Sequence, residues 1–260
     1  MDVQLESKSL AVKSPSWPLD AEFISYPIDF RGKDFYVSLA PYRSFDMKKI
    51  LPVLLFRSEQ KNKGLEIKDP DPMDHETKEF FWKYFRGFFG LYRDDVEIAP
   101  DAIKTLMEKK AMGIEFAIVR GCLGGARIPP EVSDDAFFEV DDSVLVSIRH
   151  AIYDPELRAT ISISMEHRLT SPTQKQFREY SLATGKSQLD RKSSEWTRTS
   201  NYDVIEQTYN SMVSSVSGVT LNGKSIDSAN KAVWVDLIPF MHKELVLTEV
   251  FKTVEAKNAV

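Results

Sequence analysis

The 260-residue chain carries 34 basic and 39 acidic residues, so its formal net charge is −5 at pH 7. A content of 42% hydrophobic and 28% charged residues is typical of a globular protein and argues against a disordered chain or a membrane protein. The acidic balance argues against a general nucleic-acid binder. The single cysteine, Cys122, excludes an internal disulfide and a metal site built on cysteines, and it fits a reducing cytosol.

The distribution of apolar residues argues against two further classes. No run of about 18 apolar residues occurs, so no transmembrane helix is predicted. Residues 1–20 lack the basic region followed by an apolar region that a secretory signal requires. The sequence therefore predicts a protein of the cytosol that has no membrane partner.

Residues 1–20 are polar, contain Pro15 and Pro18, and show no sustained periodicity, which predicts an extended N-terminal arm. Such an arm is either a disordered terminus or a segment that docks on a neighbouring subunit through Trp17. Docking would bury the indole ring of Trp17, which is not stabilised by exposure to water. The sequence leaves both interpretations open.

The segment after the arm has the pattern of a β-hairpin. Residues 22–39 are rich in β-branched and aromatic residues, and Arg31-Gly32 supplies the turn between two strands. Pro27 lacks an N–H group, so the first strand is predicted to lie at the edge of a sheet. Ser44 then caps a short predicted helix.

Three carboxylates in the segment 61–75, at Asp69, Asp71 and Asp74, suggest calcium ligands. Their spacing does not fit an EF-hand, because the glycine and the glutamate that the motif needs do not follow at the required positions. We predict a solvated loop here and no metal site.

The stretch Phe80–Tyr92 is the densest in aromatic residues, which occupy eight of its thirteen positions. Most of them recur at helical spacing along one stripe, which predicts a helix. Each ring can bury on the order of 150–250 Å², so the stripe has to be covered. It is either a core helix or, in part, an interface with a partner.

The only glycine-rich loop, residues 121–127, resembles a phosphate-binding loop in composition alone. A phosphate site needs a helix directly after the loop, whereas Ile128-Pro129-Pro130 predicts extended chain. Cys122 within this loop is predicted to be a buried structural residue, because no base can be assigned beside it.

Charge is unevenly distributed along the chain. Residues 131–142 form an acidic segment without a basic residue, and residues 168–198 form a locally basic segment. On opposite faces the two segments would favour a head-to-tail contact that builds rings or filaments; alternatively, both are independent solvated loops. The candidate interaction residues are Trp17, Glu131, Asp134, Asp135, Asp141, Asp142, Arg168, Lys175, Arg178, Arg191, Lys192 and Arg198.

The C-terminal part shows a strand followed by helices. Apolar and polar residues alternate over 158–169, which predicts a half-buried strand. Ser171 is predicted to cap the next helix, with Gln174 completing a capping box. Residues 202–216 predict an amphipathic helix, and Asn222-Gly223 predicts a tight turn.

A last helix is predicted over about residues 228–254, with a kink at Pro239. His242 follows this kink, and we interpret it as a polar contact rather than a catalytic base. No zinc-protease, serine-hydrolase, Cys-x-x-Cys or Walker pattern occurs in the sequence. We therefore assign no catalytic residue, cofactor or metal ligand.

Two stretches, EHRLTSPTQKQFREYSLATGK at Glu166–Lys186 and WVDLIPFMHKELVLTEVF at Trp234–Phe251, are similar to known sequences. With the preceding Tyr209–Gly223 segment they resemble structural or assembly proteins of tailed bacteriophages. The resemblance implies a virion component that acts by protein–protein contact, without a cofactor. It implies a location in the virion, and in the host cytoplasm during assembly.

The combined prediction is an α+β fold of short antiparallel hairpins and strands with several amphipathic helices and the N-terminal arm. Residues 21–150 form an α+β half and residues 151–260 a mainly helical half, or 21–260 is one continuous domain. The predicted function is that of a homo-oligomeric structural protein of the virion that belongs to the neck or the tail or is associated with the capsid. The alternatives are a tail-assembly chaperone that binds a client through an aromatic surface, and an enzyme of unrecognised type.

Overall fold

A computed structural model describes thirteen ranges of the chain. These are residues 15–30, 33–51, 72–99, 101–102, 105, 118, 126–128, 143–154, 156–184, 187–190, 195–198, 200–227 and 229–258. Within these ranges helices are combined with several small sheets, which are mostly antiparallel and do not close into a barrel. The predicted α+β class is confirmed.

The predicted N-terminal hairpin is confirmed and belongs to a three-stranded sheet. Strands β2 (Ile24–Phe30) and β3 (Lys33–Leu39) pair antiparallel, and β4 (Phe85–Phe89) pairs with the other side of β3. Pro27 lies on β2 at the edge of this sheet, as predicted, because only an edge strand tolerates a missing N–H donor.

The prediction of one aromatic helix is wrong beyond Tyr84. Helix α2 spans Pro72–Tyr84, and the chain continues directly as β4. Phe88 pairs with Val37 of β3 and is buried, so pairing with an available strand overrides the local helical pattern. The core interpretation holds for Phe81, Tyr84 and Phe88, whereas Tyr92 is exposed on a small hairpin of β5 (Tyr92–Arg93) and β6 (Val96–Glu97).

The largest sheet has the strand order β12-β9-β8-β7. Its two long strands are β8 (Ser143–Asp154) and β9 (Ala159–Thr170), flanked by β7 (Ala126–Ile128) and β12 (Val213–Ser217). Buried side chains alternate with exposed ones along β9, which confirms the predicted half-buried strand. The proposed division at residue 150 falls inside β8, and residues of both halves contribute to one hydrophobic core.

Gly218 links the largest sheet to the N-terminal segment. Its φ of +75° is accessible to glycine, and an added Cβ would lie 2.1 Å from the Ser164 carbonyl oxygen. The Gly218 carbonyl accepts a hydrogen bond from the Trp17 N–H at 2.8 Å. Strand β1 (Trp17–Pro18) then pairs parallel with β13 (Val219–Leu221).

The predicted turn at Asn222-Gly223 is confirmed. Both residues have positive φ, as a two-residue hairpin turn requires, and they join β13 to β14 (Lys224–Ser225). A further hairpin, β10 (Ser187–Asp190) with β11 (Glu195–Arg198), lies within the locally basic segment 168–198. Residues 151–260 therefore contain strands as well as helices.

Further helices precede and follow the two long strands in the chain. Helix α1 covers residues 44–51, and α3 covers Gln174–Ala183. Helix α4 (Tyr202–Met212) ends four residues earlier than predicted, because Val213 begins β12 and pairs with Leu169. Among the described residues, no helix has both the length and the apolarity needed to span a membrane.

The predicted single C-terminal helix is broken rather than kinked. A short helix α5 (Lys231–Trp234) and a 3₁₀ turn (Val235–Leu237) precede α6 (Phe240–Asn258). Pro239 separates them, and its carbonyl accepts the first hydrogen bond of α6 from the His242 N–H at 2.9 Å. Proline cannot continue a helix, but it is well tolerated at a helix start.

The N-cap of α3 is Thr173, not Ser171 as predicted. Thr173 Oγ1 accepts a hydrogen bond from the Gln176 N–H at 3.2 Å, and Gln176 Oε1 accepts one from the Thr173 N–H at 2.9 Å. The capping box is therefore shifted by two residues.

This shift can be tested by two matched substitutions. Thr173→Ala is expected to lower the free energy of unfolding by about 1 kcal/mol, because it leaves a helix N–H without its acceptor. Ser171→Ala is expected to change it by less than about 0.5 kcal/mol, as is usual for an exposed residue that makes no cap. Urea denaturation of both variants checks the order, and a larger loss for Ser171→Ala would contradict this cap.

Candidate functional site

A cavity of about 610 Å³ lies where the N-terminal segment, the start of α1, one face of α4 and the start of α6 meet. Its apolar wall includes Trp17, Tyr26, Met47 and Ile238, all of which are buried. The cavity thus joins residues that are distant in sequence, on both sides of residue 150.

One side of this cavity is formed by a polar stripe of α4. Four polar residues of the helix recur at offsets of 0, 3, 4 and 7, which places them on one helix face. They are Asp203, Glu206, Gln207 and Asn210, and all four line the cavity. The opposite face of α4 carries the buried residues Tyr202, Ile205, Tyr209 and Met212. The same helix therefore supplies both core residues and the polar wall.

Glu206, which is part of this wall, is the centre of a charge network. Its Oε1 accepts a hydrogen bond from Lys243 Nζ at 2.9 Å, and its Oε2 lies 2.6 Å from Lys48 Nζ. Lys48 Nζ also contacts Asp203 Oδ1 at 2.6 Å, and Ser44 Oγ donates to Glu206 Oε1 at 3.3 Å. The network connects α1, α4 and α6.

Burial and ion pairing shift the pKa values of Lys243 and Glu206 in opposite directions. Lys243 is fully buried, and burial lowers its pKa although Glu206 opposes this effect. Burial alone would raise the pKa of Glu206, but hydrogen bonds from Lys48 and Lys243 lower it overall. Glu206 is thus held as a carboxylate, and it is the only carboxylate among the described residues in salt-bridge contact with Lys243.

Three histidines of the described residues are buried, and one of them, His242, lines the cavity. The Nε2 atoms of His150 and His242 are 2.8 Å apart, so one ring must donate a hydrogen bond to the other. The Trp17 ring packs on both, with centroid distances of 5.2 and 5.1 Å. His167 Nδ1 lies 2.7 Å from the Tyr209 hydroxyl.

Burial keeps these three rings neutral. It lowers the pKa of His150 to about 4 and that of His167 to about 3. Burial also lowers the pKa of His242 well below its usual value, and the neighbouring His150 and His167 add to this effect. The hydrogen bond between His150 and His242 therefore joins two neutral imidazole rings, one of which donates and the other of which accepts.

Two buried polar atoms of cavity-lining residues have no hydrogen-bond partner in the part of the chain that the structure describes. They are Asn210 Oδ1 and His242 Nδ1. Asn210 Nδ2 donates to Asp236 Oδ1 at 3.3 Å, which leaves Asn210 Oδ1 as an acceptor. Both atoms are closed off from a water-sized probe, so they lie behind the surface of the cavity rather than on it.

No protein-family model, curated protein or solved structure matches this chain. Among the described residues, no group of three or more His, Cys, Asp or Glu side chains is arranged to hold a metal ion.

The sequence interpretation of Trp17 as a docking residue is corrected by its position. Its side chain is 5% exposed and packs in the core of its own chain, against Tyr26, His150 and His242. Residues 15–20 are part of the fold through β1, whereas residues 1–14 of the predicted arm lie outside the described residues.

The candidate charged residues are only partly described. Arg168 is exposed on β9, and its guanidinium donates to Ser143 Oγ at 3.0 Å. Lys175 Nζ lies 3.8 Å from Glu179 Oε1. Arg178 is exposed on α3. Arg198 ends β11, and its side chain is outside the description. The residues Arg191, Lys192, Glu131, Asp134, Asp135, Asp141 and Asp142 lie outside the described residues. The head-to-tail contact stays a prediction.

Sequence reasoning missed the cavity and its polar wall. The apolar stripe of residues 202–216 predicts which face of α4 is buried, but it does not predict what lies against the polar face. A second periodic stripe of polar residues on the same helix was visible in the sequence. Its partners Lys243 and Asp236 lie 37 and 26 positions away in the chain, and no local pattern connects them.

Proposed function

We propose that this chain is a structural protein of a tailed-bacteriophage virion, belonging to the neck, the tail or the capsid, and that it acts by protein–protein assembly. The support comes from the two stretches that resemble such proteins. They are far apart in sequence, yet they pack together in the fold.

The contact between these stretches joins α3 to α6. The rings of Tyr180 and Phe251 stack with centroids 4.2 Å apart, and Phe177 contacts the same Phe251 ring at 5.8 Å. The Tyr180 hydroxyl lies 3.1 Å from Thr248 Oγ1. A resemblance confined to two segments that form one packed unit is what a shared structural module would produce. This observation carries the proposal.

In this proposal the chain forms a homo-oligomer and contacts other virion proteins without catalysing a reaction. The acidic segment 131–142 of one copy faces the basic segment 168–198 of the next, and residues 1–14 form an extended arm. The protein is located in the host cytoplasm during assembly and afterwards in the virion. Complementary charge sets the register and the encounter rate of such contacts.

The chaperone alternative needs an exposed aromatic surface. Four of the eight aromatic rings in residues 80–92, those of Phe80, Phe81, Tyr84 and Phe88, are buried, which removes half of the rings from a client. Mass spectrometry of purified particles from the encoding phage separates the alternatives, since a chaperone is absent from mature particles.

The proposed assembly can be tested by light scattering of the purified protein at low and high salt. We expect a defined oligomer at low salt that dissociates as salt screens the charge contacts. Arg178→Glu should weaken it, whereas Lys224→Glu, an equal change of charge on the β13–β14 hairpin, should not. A monomer of 29.7 kDa in both salts would contradict self-assembly.

A further inference from the structure

We propose that the cavity beside α4 is a binding pocket for an uncharged, largely hydrocarbon small molecule. This inference goes beyond the proposed assembly function and does not depend on it. It is supported by the recessed shape of the cavity, by the apolar side chains that stay accessible in its lining, and by the balance of the charges around it.

The cavity is a recess rather than a flat face. Exposed residues such as Pro41, Gln207 and Leu237 form its rim, whereas Trp17 and Tyr26 in its lining are buried. Its volume of about 610 Å³ falls within the range of roughly 300–1,000 Å³ found for small-molecule sites, which are concave and mostly apolar. A recess of this kind encloses a small molecule on several sides, whereas a protein partner needs a broader surface.

Much of the accessible lining is apolar. Apolar and aromatic residues outnumber polar ones around the cavity. Several of them are not fully buried, so they keep surface that a ligand can cover: Pro18, Pro41, Tyr42, Leu237, Pro239 and Met241. A hydrocarbon that covers this surface removes apolar area from water on both sides of the contact, which is the main driving force for binding apolar groups.

The charges around the cavity balance. Among the described residues, the lining holds three carboxylates and one basic side chain, those of Asp203, Glu206, Asp236 and Arg43. Two lysines outside the lining pair with these carboxylates: Lys48 contacts Asp203 and Glu206, and Lys243 contacts Glu206. Three negative groups are therefore matched by three positive ones, and the site selects neither a cation nor an anion.

This balance favours an uncharged ligand. An ion that enters an apolar recess gives up its hydration, and it recovers that loss only where an unmatched counter-charge is present. Lys48 Nζ lies 2.6 Å from both Asp203 Oδ1 and Glu206 Oε2, so these carboxylates are already neutralised. An uncharged molecule with few polar groups loses little hydration, and it gains the contact with the apolar lining.

The pocket can be tested with N-phenyl-1-naphthylamine, an uncharged probe whose fluorescence increases in an apolar environment, titrated into the full-length protein. We expect saturable binding of this probe. We expect octan-1-ol to displace it at concentrations about tenfold or more below those of octylammonium and octanoate, which carry the same chain with a charge. The absence of saturable binding, or displacement by either ion at the same concentration as octan-1-ol, would overturn the proposal.

Three exposed leucines provide matched variants that locate the site. Leu237 is 44% exposed and lines this cavity, Leu182 is 77% exposed and lines a smaller cavity between α3 and α4, and Leu157 is 67% exposed and lines neither. Leu237→Asp should weaken binding of the naphthylamine probe by about tenfold or more, because it places a charge at the mouth of the recess. Leu182→Asp and Leu157→Asp should leave binding unchanged.

Two results with these variants would contradict the assignment. One is a Leu237→Asp protein that is folded by circular dichroism and binds the probe as tightly as the unsubstituted protein. The other is a loss of binding in Leu182→Asp alone, which would place the probe between α3 and α4. The displacement series uses the unsubstituted protein, so it decides the question even where a variant does not fold.

A further competitor separates a free molecule from a side chain of a partner protein. A blocked Ala-Leu-Ala tripeptide presents an uncharged apolar side chain on a peptide backbone. We expect it to displace the probe less effectively than octan-1-ol, because its backbone groups lose hydration in an apolar recess. More effective displacement by the tripeptide would assign the recess to a side chain of a partner and would contradict a small-molecule pocket.

Discussion

Glu206→Ala is expected to lower the free energy of unfolding by about 3–5 kcal/mol, because it leaves the buried ammonium of Lys243 without a partner. Lys243 is fully buried, and its Nζ lies 2.9 Å from Glu206. Urea denaturation measures the loss, provided that the slope of the transition is unchanged. The cost should shrink as the pH rises toward the usual lysine value of 10.5, because a neutral lysine is easier to bury.

Two controls separate this effect from the loss of an ordinary ion pair. Asp203→Ala removes a carboxylate whose side chain is 75% exposed, so the loss should be at most about 1 kcal/mol. Adding Lys243→Met to Glu206→Ala should restore much of the stability, since no buried charge then remains. If Glu206→Ala and Asp203→Ala lower the free energy of unfolding equally, the buried Glu206–Lys243 pair stabilises the fold no more than an exposed ion pair does.

Acid is expected to destabilise the protein well above the pH range in which carboxylates titrate. The unfolded histidines bind protons below about pH 6.5, whereas folded His150 and His167 do so only near pH 4 and pH 3. Stability is therefore full above about pH 6.5 and falls as the pH decreases toward these folded values. The displacement for His150 alone corresponds to roughly 3 kcal/mol, and that for His167 to somewhat more.

The experiment is a series of urea denaturations between about pH 7.5 and about pH 5, where most carboxylates remain ionised. His150→Leu should be less stable at the upper end, because it removes the partner of His242, and its stability should depend less steeply on pH. His75→Gln replaces a histidine whose side chain is 77% exposed, so its slope should match that of the unsubstituted protein. A stability that does not change across this range would contradict buried neutral histidines.

Where local chemistry decides the structure, the sequence was informative. The hairpin of β2 and β3, the alternation along β9 and the turn at Asn222-Gly223 were all predicted, because their signals lie within a few residues. The α+β class followed from the mixture of such segments. The start of α3 was predicted two residues too early, because Ser171 and Thr173 are both good N-cap residues and each is followed three residues later by a glutamine.

Tertiary pairing decided the cases in which the sequence prediction was wrong. The aromatic helix ends at Tyr84 because β3 offers a strand to residues 85–89, and α4 ends at Met212 because β9 offers a strand to β12. Trp17 looked like a docking residue because its partners His150 and His242 are distant in sequence.

The sequence by itself determined the class of the fold and most of the local elements. Only the tertiary structure decided that α3 packs against α6, that Glu206 contacts two lysines, and that a polar stripe of α4 lines a cavity. The physical reason is the separation along the chain of the residues that determine each feature. Helical and strand patterns are written in neighbouring residues, whereas the burial of a charge or the shape of a cavity depends on which distant segments fold together.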